Sequence, residues 1–461
     1  MVPYFIREAR AQSQQTIFPV AKFIQTLSEE SGYRMFSLFL TISLTLSVVA
    51  ILWRWLSNPT YHPGEKTAAP SPTMNENKQH ILLVCLSGKW FGGGETHLVT
   101  LYKMLLSHGY HATILVEHGS QLQRHLEDVA LPFYTTLAKY FAKNFRPLYH
   151  RVFIKCLRII CTKERINIIH CNTTIELADA VKTAKQLSIN IIYTRHVVET
   201  FLTKKMRGVS AVIAVSPAVT SYIESENQCN NLGIPIIRYI PPFFNAEKFL
   251  AFSTQQTRDD FFKKNFTINL HGLPVICTIA NFYQSQTHKT HHLVFYALSK
   301  LIHRHHKQAH LMLAGNYDVI DPYINLAKQL AIEPYIHFLG FTRVIPALLY
   351  HSDFHVLPSS QEAFGLVHVE AAIMKKPSIG ATNTGAETII HHEKTGLLFK
   401  NNDSNDLAYQ MERLIENPSW GKELGQNAYQ RMVQNFVPEI TFARHVTLYQ
   451  EIASHAQQKY F

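Results

Sequence analysis

A chain of 461 residues exceeds one ordinary core and predicts two or three domains. Hydrophobic residues at 46% exclude wholesale disorder, and six cysteines without paired spacing exclude a disulfide framework or a Cys-x-x-Cys motif. A net charge of +11 suits nucleic acid, an anionic membrane or phosphorylated substrates, and does not choose among them.

The first 35 residues carry no clear pattern. Residues 36–56 predict a membrane-anchoring helix: the uncharged run FSLFLTISLTLSVVAILW spans about 27 Å as a helix, with Trp53 and Trp55 suited to the interface. The run begins too late and is too long for the core of a cleaved signal peptide. Lys22 and Arg34 before it balance Arg54 and Lys66 after it, so the positive-inside rule leaves its orientation open. Residues 57–79, rich in Pro, Ser, Thr and Asn, predict a flexible linker.

Structured sequence resumes at His80. ILLVCLS predicts a buried strand that turns through FGGGE into a helix near 96–107, and glycines in such a turn let backbone amides approach a phosphate. No G-x-G-x-x-G with a downstream acid is present, which argues against a dinucleotide cofactor. Strand patterns recur at 111–116, 166–172, 190–195 and 211–216 with helical patterns between them, the alternation of a parallel sheet covered on both faces. Ligands of such sheets sit beyond the carboxyl ends of the strands, where His196 falls, although a histidine taken alone is more often a core residue. Between 131 and 165, Lys139, Lys143, Arg151 and Arg158 are interleaved with Phe133, Tyr134, Tyr149 and Phe153. The mixture suits a membrane-facing surface or the ordinary basic face of a helix, and less well a platform for single-stranded nucleic acid.

A polar stretch at 250–273 predicts the connection to a second domain of the same class, which opens with the strand PVICTIA. Asn281 and Lys289 follow it, and His288, His291 and His292 crowd the same loop without the spacing of a metal site. Further strands are predicted at 310–315, 336–340 and 353–358. Beyond them stand Glu362 in a loop and Glu370 inside a helix, whose apolar stripe runs through Leu366, Val369 and Ala371 until Lys375-Lys376-Pro377 ends it. A helix that starts near Gly365 places Glu370 roughly 7 Å along its axis. The amides of Gly365, Leu366 and Val367 at its start favour an anion such as a diphosphate. The tail from 405 to 461 is helical in pattern, broken at Pro418 and Pro438.

Glu362 and Glu370 around AFGL, the NTGAE loop, TGLLF and FGGGE together resemble the retaining GT-B glycosyltransferases of family 4, the group 1 type. The resemblance implies an α/β fold of two Rossmann-like, doubly wound domains facing a cleft, behind the N-terminal membrane helix. An acceptor domain is expected at 80–250, a donor domain at 270–435, and a C-terminal helix at 436–461 that crosses back to the first domain. The implied activity is transfer of a sugar from a nucleotide-diphosphate sugar to a lipid-linked or glycan acceptor with retention of configuration, without a cofactor. Asp-x-Asp is absent, so no metal is expected.

By the same resemblance Glu362, Lys289 and His196 act at the donor sugar and its leaving diphosphate. Gly92, Gly93, Asn281, Gly365, Leu366, Val367, Glu370, Gly385 and Glu387 are expected to bind the donor. Thr384-Gly385-Ala386-Glu387 matches Gly-Gly-x-Pro-Glu imperfectly, and two further departures keep open a catalytically degenerate binding or scaffold protein at the membrane: Asn281 where arginine is common, and Pro242-Phe243-Phe244-Asn245 where Asn-Gly-x-Asp is usual. The expected partners are the donor, the acceptor and the membrane, with no nucleic acid. A cytoplasmic supply of nucleotide-sugars puts the catalytic domains on the cytoplasmic side of an inner membrane. The competing lumenal layout uses Asn172, Asn265 and Asn402 as glycan acceptors.

Overall fold

The structure is a computed structural model that describes residues 58–64, 79–86, 91–137, 146–197, 205–244, 246–282, 289–317 and 319–458. The membrane helix predicted at 36–56 lies outside these residues. Among the described residues no helix is long and apolar enough to cross a membrane.

Two sheets organise the chain. The first contains β1 (Thr60–His62), β2 (His80–Cys85), β3 (His111–Glu117), β4 (Phe133–Thr136), β5 (Ile168–Cys171), β6 (Asn190–Arg195), β7 (Ala211–Ala214) and β8 (Ile237–Tyr239). Their spatial order is β1-β4-β3-β2-β5-β6-β7-β8, and every pairing except β1 with β4 is parallel. The second contains β9 (Val275–Ile279), β10 (His310–Ala314), β11 (Ile336–Gly340), β12 (Phe354–Leu357), β13 (Ser378–Ala381) and β14 (Gly396–Phe399), all parallel, in the order β11-β10-β9-β12-β13-β14. Each sheet therefore reverses direction beside its first parallel strand, between β2 and β5 and between β9 and β12. Doubly wound sheets bind ligands at such a reversal.

Side-chain alternation explains the layering. Ile81, Leu83 and Cys85 of β2 face a layer that holds Leu98, Leu101 and Tyr102, whereas Leu82 and Val84 face Phe153, Leu157 and Leu177. Both sets are buried, so the strand reads as an unbroken apolar run, as a sheet covered on both faces requires. The Pro438–Gln458 helix returns to the first domain, where Phe442, Leu448, Tyr449 and Ile452 join its core and Glu451 pairs with Arg238 at 2.6 Å.

Several local expectations are corrected. Thr60–His62, inside the predicted linker, forms the antiparallel edge strand, with His62 stacked on Phe133 at 4.5 Å. Phe133–Thr136 is itself a strand, and Phe133, Tyr134, Tyr149 and Phe153 are buried. Those rings cannot stack on bases or enter lipid; the Arg146–Lys163 helix shows solvent an ordinary basic face through Arg151 and Arg158. Lys139 and Lys143 lie outside the described residues. Within the polar stretch at 250–273, the Arg258–Phe266 helix buries Phe261 and Phe262. Pro242, Phe243 and Phe244 are buried as well, which makes that segment a packed connection.

Candidate functional site

The two reversal points face each other across a cavity of about 650 Å³, lined among others by Gly92, Gly93, His196, Asn281, Lys289 and Glu362. From the first domain, the Gly93–Ser107 helix starts where β2 ends; from the second, the Leu366–Ile373 helix starts where β12 ends. The two starts meet closely: a Cβ at Gly93 would lie 2.9 Å from Leu366 Cδ1.

Both helix starts offer amides to an anion. Gly365 caps the second helix in the left-handed region, with φ of +88°, no side-chain cap and no acid in the first turn, so the amides of Leu366 and Val367 have no intrahelical carbonyl. The first helix differs from expectation. Gly92 N already donates to Glu95 Oε2 at 2.9 Å, which leaves Gly93 and Gly94 as the amides of that turn to meet a phosphate.

Lys289 and Glu362 form an ion pair at 2.7 Å, their side chains 20% and 14% exposed. The Thr290 hydroxyl donates to Pro358 O, and His291 stacks on Phe282 at 3.9 Å, so the loop that carries Lys289 is tied to the end of β12. Among the described residues lining the cavity, Lys289 is the one lysine or arginine. Asn281 is in the wall, but its Oδ1 accepts from Asn316 N at 3.1 Å, so it braces the neighbouring loop. Gly385 stands behind the site. Its N–H donates to Glu362 O at 2.6 Å, and a Cβ there would lie 2.0 Å from Ala363 O, so only glycine lets the two loops close.

His196 comes from the end of β6 and interacts through Nε2 with Asn172 Oδ1 at 2.8 Å. Asn172 Nδ2 donates to Gly94 O at 3.1 Å, and a carbonyl can only accept. This turns the Asn172 oxygen towards His196, which must then carry its proton on Nε2 and keep the Nδ1 lone pair. Burial first, and His445 second, push the His196 pKa down to about 4, so the ring is neutral at neutral pH. Asn172 was missed as a site residue, although it ends β5 just as His196 ends β6. It is buried, so it is not an accessible glycan acceptor.

Two predicted residues lie elsewhere. Glu370 opens on a second cavity of about 860 Å³, which shares Gly92, Gly93, Leu366 and Val367 with the first and continues between the two domains. Burial pushes the Glu370 carboxyl up to about 7, against the pull of Lys248. Glu387 is exposed, accepts from Asn383 N at 2.9 Å, and lines a separate cavity with Arg431 and Arg444. It does not meet the cleft.

Residues 263–431 match the family model described as Glycosyl transferases group 1, and residues 91–248 match Glycosyltransferase Family 4. The N-acetyl-alpha-D-glucosaminyl L-malate synthase of Bacillus anthracis is 31% identical over 144 residues, which covers 31% of this chain and 38% of that protein. The N,N'-diacetylbacillosaminyl-diphospho-undecaprenol alpha-1,3-N-acetylgalactosaminyltransferase of Campylobacter jejuni is 25% identical over 208 residues, which covers 45% of this chain and 52% of that protein. The chain thus spans between about a third and half of the length of these curated relatives. The solved structure of Anabaena Alr3699/HepE in complex with UDP and glucose has a TM-score of 0.67 at 20% identity, over 81% of this chain and 100% of that chain, a likeness of fold. With one model on each domain and two Rossmann-like sheets facing a cleft, the chain belongs to the group 1 type of GT-B glycosyltransferases, family 4.

Proposed function

We propose that the protein moves a sugar from a nucleotide-diphosphate sugar to a lipid-linked or glycan acceptor with retention of configuration. The observation that carries this reading is the Lys289–Glu362 pair, set in one cavity with the amide ends of two helices. The diphosphate lies on the amides of Leu366, Val367, Gly93 and Gly94. As the bond from the anomeric carbon to the diphosphate oxygen breaks, Lys289 neutralises the charge that grows on that oxygen. Glu362 has by then exchanged Lys289 for the sugar hydroxyls on donor entry, with the Nδ1 lone pair of His196 accepting from another. The acceptor oxygen bonds to the anomeric carbon on the face the diphosphate leaves, while its proton passes to the departing diphosphate oxygen. Glu370 holds the ribose, so the nucleoside enters the second cavity. Closure of the domains excludes water. No metal or cofactor takes part in this scheme.

The Alr3699/HepE complex supports a uridine nucleotide, and the name of the Campylobacter relative supports a lipid-diphosphate acceptor. The uncharged run at 36–53 supports a membrane anchor, and a cytoplasmic supply of nucleotide-sugars supports an inner membrane with both domains on the cytoplasmic side. Calorimetric titration of the full chain with UDP, GDP and ADP, beside Lys289→Ala and Glu370→Ala, tests the donor site. Selective binding of one nucleotide, weakened by both substitutions, is expected. Absence of binding by folded protein would replace the reading with a degenerate scaffold, a reading favoured by the engagement of Asn281 with Asn316. Assigning the product anomer by NMR tests retention, and an inverted product ends that part of the proposal.

A further inference from the structure

We infer that the second domain carries a site for a phosphate-bearing ligand at the end of its sheet opposite the cleft. The cleft lies at the carboxyl ends of the strands. The new site lies where β9, β12 and β13 begin, about 16 Å away for strands of this length. It shares no residue with the cleft and does not rest on the glycosyl-transfer reading.

A cavity of about 250 Å³ is bounded there by Arg258, Asp353, Lys375, Lys376, Pro418 and Lys422. The Lys375 ammonium turns to the Tyr429 ring, 5.2 Å away, which leaves three cations, Arg258, Lys376 and Lys422, with one carboxylate, and that carboxylate is already engaged. Asp353 Oδ1 takes Arg258 Nη2 at 2.5 Å, and its Oδ2 takes Val275 N at 2.7 Å. Lys376 is half-buried, has no carboxylate within ion-pair distance among the described residues, and lies over the Tyr350 ring, 5.7 Å from its centre. Burial lowers its pKa, and Arg258 and Lys422 press in the same direction against the pull of Asp353. Cations crowded in a partly desolvated cavity are costly unless an anion joins them.

With Asp353 taken up by Arg258, the charges of Lys376 and Lys422 remain on this one cavity without a further carboxylate among its lining residues to balance them. Two compact ammonium groups beside a guanidinium suit a phosphate, whose oxygens accept from several directions at once.

The test titrates the full chain calorimetrically with inorganic phosphate and with glycerophosphoglycerol, the soluble head of an anionic phospholipid. Wild type, Lys376→Gln/Lys422→Gln and Lys289→Ala are compared. Saturable binding is expected, weakened at least tenfold by the double substitution and kept within twofold by Lys289→Ala. Tighter phosphate names a soluble phosphorylated ligand; tighter glycerophosphoglycerol names a lipid head. Binding that survives the double substitution, binding lost only with Lys289→Ala, or no saturable binding would overturn the proposal. Relieved of repulsion, the double variant should unfold at or above the wild-type temperature in phosphate-free buffer. Should it fail to fold, Lys422→Gln alone, at an exposed side chain, carries the same comparison.

Discussion

Lys289 Nζ sits 2.7 Å from Glu362 Oε2, so the two groups proposed to meet the donor's leaving diphosphate and its sugar neutralise each other. Both side chains are largely buried. Removing one leaves the other as a poorly compensated charge, and a donor has to replace each partner as it enters.

Lys289→Ala is accordingly expected to lower kcat by ~10²–10³-fold, the scale of a lost electrostatic contact in the transition state. Glu362→Gln is expected to lower kcat/KM as well. In thermal unfolding, the double variant should be less destabilised than the sum of the two single changes, because neither charge is then left alone. Additive losses would show that the pair is not coupled.

Asn172 acts on His196 from behind. Asn172→Ala frees the ring, and kcat should fall by up to ~10²-fold, the scale of a misplaced catalytic group, while nucleotide affinity holds within twofold. Asn172→Asp places a negative charge against the ring, which raises the His196 pKa from about 4 and should bring an acidic inflection into the pH–rate profile. Nitrogen NMR of the labelled histidine checks the Nε2 proton directly.

Glu370, with its carboxyl pushed up to about 7, is partly protonated at neutral pH. A ribose hydroxyl donates to the ionised form, so nucleotide affinity should rise between pH 6 and pH 8. Glu370→Gln should bind more weakly at pH 8 and lose that dependence. Calorimetry at the two pH values distinguishes this from a purely structural role, which would leave the slope in place.

Acid stability has a histidine signature. His97, His170 and His445 are fully buried, with His97 and His445 rings 5.5 Å apart, and burial lowers the pKa of all three. A histidine held below its ordinary 6.5 binds its proton more readily in the unfolded chain, so its stabilising contribution is present above about pH 6.5 and is lost as the pH falls below it. Glu176 and Glu370, both pushed up to about 7, act in the opposite sense between about 7 and 4.5. His196, His355 and His368 join the first group and outnumber them. The unfolding temperature should therefore drop between pH 7 and pH 5, less steeply for His445→Phe, which keeps the stack on Phe243.

The sequence by itself determined the element order. A strand buried on both faces has to be a continuous apolar run, and a helix start has to be a residue that frees its amides. On those two rules β2, β3, β5, β6, β7, β9, β10, β11 and β12, and the Gly365 helix start, were legible; the helix ends before Lys375, whose φ of +57° a helix cannot continue. Glu362, Lys289 and His196 were legible through strand ends and family resemblance, and the structure gathers them around one cavity. Only the tertiary structure decided the rest. The Thr60–His62 strand exists because β4 offers it an open edge. Gly92 loses its amide to Glu95, Asn281 turns to Asn316, and Glu387 points away from the cleft. Asn172 gains its place by reaching Gly94, 78 residues earlier. Local pattern records how a segment buries its own surface. Which polar atom is satisfied by which partner depends on neighbours that only folding brings within 3 Å.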